Sequence, residues 1–191
     1  MEKGGDSGMS EQSRKPMSIV PYNPDWALEY KREQERLLNA LSPRIATMEH
    51  VGSTSIPNQA AKPVIDMFAA FHTLEAPSVY SRLLKDLGYS YTDAGMTGRH
   101  LFVKKSGGAR THHLHMLPSE HFYERNELLF RDYLRAHPES VSAYGELKLS
   151  LMRQFSLDPE AYTRAKTDFI QQIVDRARTE KGLPLQSVWE D

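Results

Sequence analysis

The sequence predicts an α+β protein, a small mixed β-sheet with flanking helices followed by a C-terminal helical bundle. Three observations predict it. Short apolar runs separated by Gly and Pro fill the chain up to Leu117, as strands and turns do. One of these runs, Pro63–Phe71, is apolar on both faces, the mark of a strand covered on two sides. After Pro118 the pattern changes to long, charged, amphipathic stretches.

The elements follow in order. Asn23-Pro24-Asp25 opens a helix, with Asn23 as cap and Pro24 in the first turn. Trp26, Tyr30, Leu37, Leu38 and Leu41 give it an apolar stripe, and Pro43 limits it. Ile45–Val51 reads as a strand that ends in a Gly52-Ser53 turn, and a loop over 57–62 leads to the strand Pro63–Phe71. Ser78–Leu87 is a helix stopped by Gly88. Tyr89–Thr92, His100–Lys104 and His112–Leu117 are short strands, punctuated by Gly95, Gly98, Gly107 and Gly108. Three helices complete the chain, Phe122–Ala136, Val141–Phe155 and Pro159–Lys181, divided by His137-Pro138 and Asp158-Pro159. Residues 1–17 read as a disordered leader, 18–181 as one domain (sheet part 18–118, helical part 119–181) and 182–191 as a tail. In that tail Leu183, Leu185, Val188 and Trp189 are able to dock on the body.

Composition narrows the function classes. With 191 residues, 39% hydrophobic and 26% charged, the chain has the material for one soluble core. A net charge of −1 gives no global field for nucleic acid. The chain has no cysteine, which excludes disulfides and thiolate zinc sites and makes the cytoplasm the default location. No apolar run reaches the length of a membrane helix.

The chemistry concentrates in His50-Val-Gly-Ser-Thr-Ser and Lys62-Pro-Val-Ile-Asp66. A Gly-Ser turn lets an anion approach backbone N–H groups without meeting a Cβ. Asp66 on the next strand offers a ligand for the divalent ion such an anion brings. The plainer alternatives are a strand-ending turn with capping hydroxyls, and an Asp66 held in an ion pair with Arg99 or Lys62. His113 and His115 are two apart on one strand and share a face, which begins a transition-metal site. Glu49 and His50 lie near the turn and offer further ligands. Tyr144 with Lys148, and Tyr162 with Lys166, sit at helical i, i+4 spacing. They form either a wall that stacks a base and neutralises phosphate, or core tyrosines with outward lysine stems.

At Glu49-His-Val-Gly-Ser-Thr-Ser-Ile-Pro, Ala61-Lys-Pro-Val-Ile-Asp66 and His113-Leu-His115 the chain resembles the GrpB-like family of the nucleotidyltransferase superfamily. Tyr144-Gly-Glu-Leu-Lys148 and Tyr162-Thr-Arg-Ala-Lys166 extend the resemblance to about residues 18–178. It implies a nucleotidyltransferase-type sheet that holds a triphosphate on Gly52, Ser53 and Thr54. It also implies a context of nucleotide metabolism, since members occur joined to dephospho-CoA kinase domains. In the superfamily pattern a second acidic residue follows two positions after the first, and a third stands on a later strand. Here those places hold Phe68 and the histidines.

The expectation is therefore a nucleotide or other phosphorylated small molecule as partner, with a divalent metal. Magnesium or manganese leads, with zinc or another transition metal admitted by the histidines. Asp66 and His115 are the catalytic candidates. Gly52, Ser53, Thr54, Lys62, Arg99, Tyr144, Lys148 and Lys166 are the ligand contacts. Asp66, His113, His115, Glu49 and His50 are the metal ligands. The activity would be nucleotidyl or phosphoryl transfer. The alternatives are a non-catalytic nucleotide- or coenzyme-binding module and a metal site for hydrolysis.

Overall fold

The computed structural model describes residues 18–188; the expected leader and Trp189 lie outside them. Helix α1 (Asp25–Leu41) starts where Asn23 Oδ1 accepts from the Asp25 N–H at 3.0 Å, and it leads into β1 (Ile45–Val51). A single 3₁₀ turn, Ser53–Ser55, separates β1 from the loop before β2 (Ile65–Phe71). Helix α2 (Pro77–Leu84) runs into a second 3₁₀ turn that ends at Gly88, whose left-handed backbone (φ +81°) stops it as expected. Then come β3 (Tyr89–Thr92), β4 (His100–Ser106) and β5 (Ala109–Pro118). The last two are joined by Gly107-Gly108, both at positive φ, a two-residue hairpin turn that suits glycine.

The five strands form one sheet in the order β1-β2-β5-β4-β3. The β2–β5 pair is parallel and the other three are antiparallel, so the sheet is mixed. Register then fixes the site. Asp66 lies opposite Val51 on one side and His113 on the other; Phe68 lies opposite Glu49 and His115. Residues opposite one another in register share a sheet face, so Asp66, Phe68, His113, His115 and Glu49 project from the same one.

The other face packs on α1 and α2. Met67, Phe71, Phe102, Leu114 and Met116 meet Trp26, Leu37, Leu41, Tyr80 and Leu84 in one continuous core. Each fully buried large side chain there contributes about 2 kcal/mol. Glu33, a carboxylate buried under this face, accepts from Lys104 Nζ at 2.7 Å. Burial pushes the Glu33 carboxyl up, but the hydrogen bond and charge of Lys104 pull it down, and it lies below its usual value.

The helical half is α3 (Asn126–Ala136), α4 (Pro138–Phe155), α5 (Pro159–Arg164) and α6 (Thr167–Glu180). The third expected helix is thus two. At the break the Lys166 N–H bonds the Thr163 carbonyl three residues back, a tightened turn that interrupts the α-pattern. The half attaches to the sheet through Phe122 and Leu128, which pack on Val51, Phe68, Ala70 and Leu117. Residues 183–188 are docked after α6. The Leu183 N–H bonds the Arg178 carbonyl, and Gln171 holds both the Gln186 carbonyl and the Val188 N–H. Leu185, expected to dock, is exposed. Among the described residues no helix is long and apolar enough to cross a membrane.

Candidate functional site

The site is built around contact between one glycine and one carboxylate. Gly52 has φ +68°, and a Cβ placed on it would lie 2.6 Å from Asp66 Oδ2. Both facts demand glycine: the backbone conformation strains an L side chain, and the carboxylate occupies the space a methyl would need. Asp66 Oδ1 accepts from His113 Nδ1 at 2.9 Å. That bond places a ring proton on Nδ1, and in the neutral imidazole the lone pair is then on Nε2. This Nε2 is buried and has no partner.

His115 stands one pleat further on. Arg99 Nε donates to His115 Nδ1 at 3.0 Å, and Arg99 Nη1 donates to Glu127 Oε1 at 2.7 Å. A guanidinium has only donors, so Nδ1 is the acceptor and the neutral ring carries its proton on Nε2. Burial, then the charges of Arg99 and His113, hold this imidazole well below its usual pKa. The guanidinium also lies over the Phe68 ring, 4.6 Å from its centroid. His115 is therefore a neutral hydrogen-bond donor, and with Nδ1 engaged it has no site to take a proton. Of the acid/base roles open to a catalytic His115, this arrangement leaves donation from Nε2.

Asp66 and Ser53 border two cavities. The smaller, about 390 Å³, is lined by Lys62, Lys148 and Lys166 together with Thr54 and His113. Lys148 is 3% exposed, and its Nζ donates to Ser53 Oγ at 2.9 Å and to the Ala60 carbonyl. Burial and the neighbouring Lys166 push Lys148 down to about 7. Burial and Lys62 push Lys166 down to about 8, against the pull of Asp66. Burial also lowers Lys62. The larger cavity, about 850 Å³, lies between the sheet face and α3 and α6, and Arg99 and His115 line it. Arg99 was expected beside the phosphate contacts; it stands across Asp66 from the lysines instead.

Several expected ligands lie elsewhere. His50 projects from the opposite sheet face, stacked on Tyr30 with centroids 4.7 Å apart, and its Nε2 lies 3.0 Å from Thr54 Oγ1. Burial, Arg135 and Arg131 depress its pKa to about 3, so it is a neutral core histidine, and its place on the far face keeps it from Asp66 and any metal there. Glu49 is on the correct face, but Arg131 Nη1 donates to it at 2.8 Å. Thr54 Oγ1 donates to the Val64 carbonyl at 3.2 Å and braces the turn from inside. The tyrosines are not a stacking wall. Tyr144 stacks on Phe169 and carries Lys148 Nζ 4.5 Å from its centroid, while Tyr162 lies under both Lys62 and Lys166. Arg131, 5% exposed and tied to Glu49, Asp132 and the His50 carbonyl, fixes α3 to β1 and carries no sequence motif.

One ion fits these residues; a pair does not. Asp66, His113 and His115 offer ligand atoms within 4.8 Å of one another. The partnerless His113 Nε2 suits a metal, and an oxygen with imidazole nitrogens favours manganese or a later transition ion over magnesium. His115 would have to release Arg99 to bind through Nδ1. A second ion would need a further carboxylate, and position 68 is Phe.

A family model described as GrpB protein matches residues 16–176. The crystal structure of conserved protein GrpB from Enterococcus faecalis superposes with a TM-score of 0.79 at 31% identity, covering 86% of this chain and 99% of that one. UPF0157 protein YqkA of Bacillus subtilis (strain 168) is 39% identical over 171 residues, 88% of this chain and 50% of its own length. This chain thus spans half the length of that relative. A dephospho-CoA kinase of Mycolicibacterium paratuberculosis is 26% identical over 194 residues, 86% of this chain and 47% of its own.

Proposed function

This chain belongs to the GrpB family, and on that premise we propose that its Asp66 site binds a nucleotide or related phosphorylated molecule with one divalent ion and transfers a nucleotidyl or phosphoryl group to a second molecule. One observation carries the reading. Three ammonium groups, those of Lys62, Lys148 and Lys166, converge with the Gly52-Ser53 turn on one small cavity. Two of them are pushed far down because burial and mutual repulsion outweigh their counter-charge. A polyanion in that cavity supplies negative charge to Lys148 and Lys166. The order of strand, Gly-Ser turn and Asp-bearing strand is what the resemblance to nucleotidyltransferases implies for a triphosphate. The dephospho-CoA kinase likeness is consistent with a nucleotide or coenzyme ligand.

Catalysis here is positioning and charge neutralisation. Lys148 and Lys166 hold the phosphates, and Ser53 Oγ, already bonded to Lys148, is the hydroxyl at the turn. Asp66 and His113 would hold the ion, which when bound would draw charge from the phosphoryl oxygens. The acceptor oxygen forms the new bond to phosphorus, the bond to the leaving phosphate breaks, and Asp66 is the carboxylate at hand for the hydroxyl proton. His115, donating from Nε2 and backed by Arg99, steadies negative charge on the far side of Asp66.

A second reading, binding without turnover, is favoured by Phe68, which leaves one ion where two-metal chemistry uses two. Thermal-shift assays with nucleotides and coenzyme A precursors, with and without Mn²⁺, test binding. At a hundredfold excess over Kd, stabilisation is about 2.7 kcal/mol. Pyrophosphate release then separates enzyme from binder. An Asp66→Asn variant that keeps the full metal-dependent shift would show that the site is misplaced.

A further inference from the structure

We infer that the larger cavity is the seat of the second molecule, and that this molecule has an apolar body and an anionic end. The claim deepens the transfer reading above and rests on it for the word acceptor, but the cavity's chemistry stands on its own observations. At about 850 Å³ it is of the size that takes a small molecule, and it meets the lysine cavity at Ser53 and Asp66. Its walls include Phe68, Phe130, Ile170 and Val174, which suit an apolar body.

Two guanidinium groups set the polarity. Arg178 of α6 is 5% exposed and has no carboxylate partner among the described residues. Neutral acceptors hold it from behind: Nε donates to the Pro184 carbonyl, and Nη1 donates to the Glu124 carbonyl and to Asn126 Oδ1 at 2.8 Å. Among the described residues its Nη2 donates no hydrogen bond. Nor is it sealed in, because the enclosed partnerless atoms among the described residues are Tyr89 Oη and His113 Nε2. Arg99 shares part of this arrangement: Nε is on the neutral His115 and Nη2 is left over, while Nη1 is paired with the Glu127 carboxylate. Both residues line the cavity. A buried cation compensated by dipoles alone, as Arg178 is, is costly, and an anion from outside removes the cost; Arg99 adds a second donor beside it. Because both groups are fixed by their own partners, little ordering is needed on binding. The C-terminal segment belongs to this site, since the Pro184 carbonyl is one of the groups that fix Arg178.

The test uses the whole chain and two fluorescent probes of nearly equal shape, 8-anilinonaphthalene-1-sulfonate and the uncharged N-phenyl-1-naphthylamine. The sulfonate is expected to bind one site per chain and to weaken at least fivefold in Arg178→Gln and in Arg99→Gln. The uncharged probe is expected to bind both variants as it binds the wild type. Lys166→Gln is expected to weaken ATP binding in the presence of Mn²⁺ and to spare the sulfonate. If Arg178→Gln loses its melting transition, Arg99→Gln decides alone. Equal loss of both probes, or no loss of the sulfonate in the folded arginine variants, overturns the assignment. A wild type that ignores ATP but separates the probes as described sinks the transfer reading and leaves the anion-binding cavity in place.

Discussion

The two faces of the sheet treat charge in opposite ways. Under α1 and α2, the buried carboxylate Glu33 is answered by Lys104 at 2.7 Å, and His50 is kept neutral by burial and two arginines. On the other face Arg131 and Arg99 are paired with Glu49 and Glu127, but Lys148 is buried against a hydroxyl and a carbonyl, Arg178 against two carbonyls and an amide, and His113 Nε2 against nothing. A face that only has to be stable neutralises what it buries. A face that leaves cations on dipoles is arranged for a charge that comes from elsewhere. Asp66 is the boundary, flanked by lysines in one cavity and arginines in the other.

The sharpest way to break this comparison is to remove one charge from each face. Lys104→Met leaves the buried Glu33 only the exposed Arg36, 3.6 Å away, and should cost about 3 kcal/mol in urea denaturation. Lys148→Met removes a buried cation with no carboxylate partner and should leave the apo protein at least as stable. If both lose stability equally, the distinction between the faces is wrong. Next in size is Gly52→Ala. Strain at positive φ alone should cost about 1–2 kcal/mol. Displacement of the Asp66 carboxylate should also abolish the Mn²⁺-dependent stabilisation, read by thermal shift. Lys166→Met should weaken tripolyphosphate binding roughly tenfold, about 1.4 kcal/mol, in calorimetric titration without lowering apo stability.

The smallest effect is the pH dependence. Lys148 and Lys166 sit near 7 and 8 in the fold and at about 10.5 in the unfolded chain. Between those values the unfolded state holds more protons, so their contribution to apo stability rises with pH across roughly 7 to 10.5. A bound polyphosphate recharges both, so the stabilisation it gives should shrink as pH rises above about 8. The difference between wild type and a Lys148→Met, Lys166→Met double variant in melting temperature from pH 7 to 9, with and without tripolyphosphate, isolates this term.

Much of the site was legible because it rests on local rules. Gly52 before a serine, Asp66 in an apolar strand, and His113 and His115 two apart all announce themselves in the chain. Strand alternation also held a signal against pairing Glu49 with His50: adjacent strand residues face opposite ways, so the two were never able to serve one metal. Tyr144 and Tyr162 were ambiguous at i, i+4 spacing, because that spacing says which residues are neighbours and not which of them is covered. The break at Ala165-Lys166 carried no Pro or Gly to mark it.

The sequence by itself determined the α+β organisation, the strands and most helices, the glycine turn and the one carboxylate at the centre, because these follow from residue type and short-range periodicity. Only the tertiary structure decided the rest. It turned His50 inward, gave Glu49 to Arg131, and set Arg99 across Asp66 from the lysines. It also brought Arg178 from the last helix into the larger cavity. Those are contacts between residues tens of positions apart, set by sheet register and by the docking of one half on the other. Neither leaves a local pattern to read.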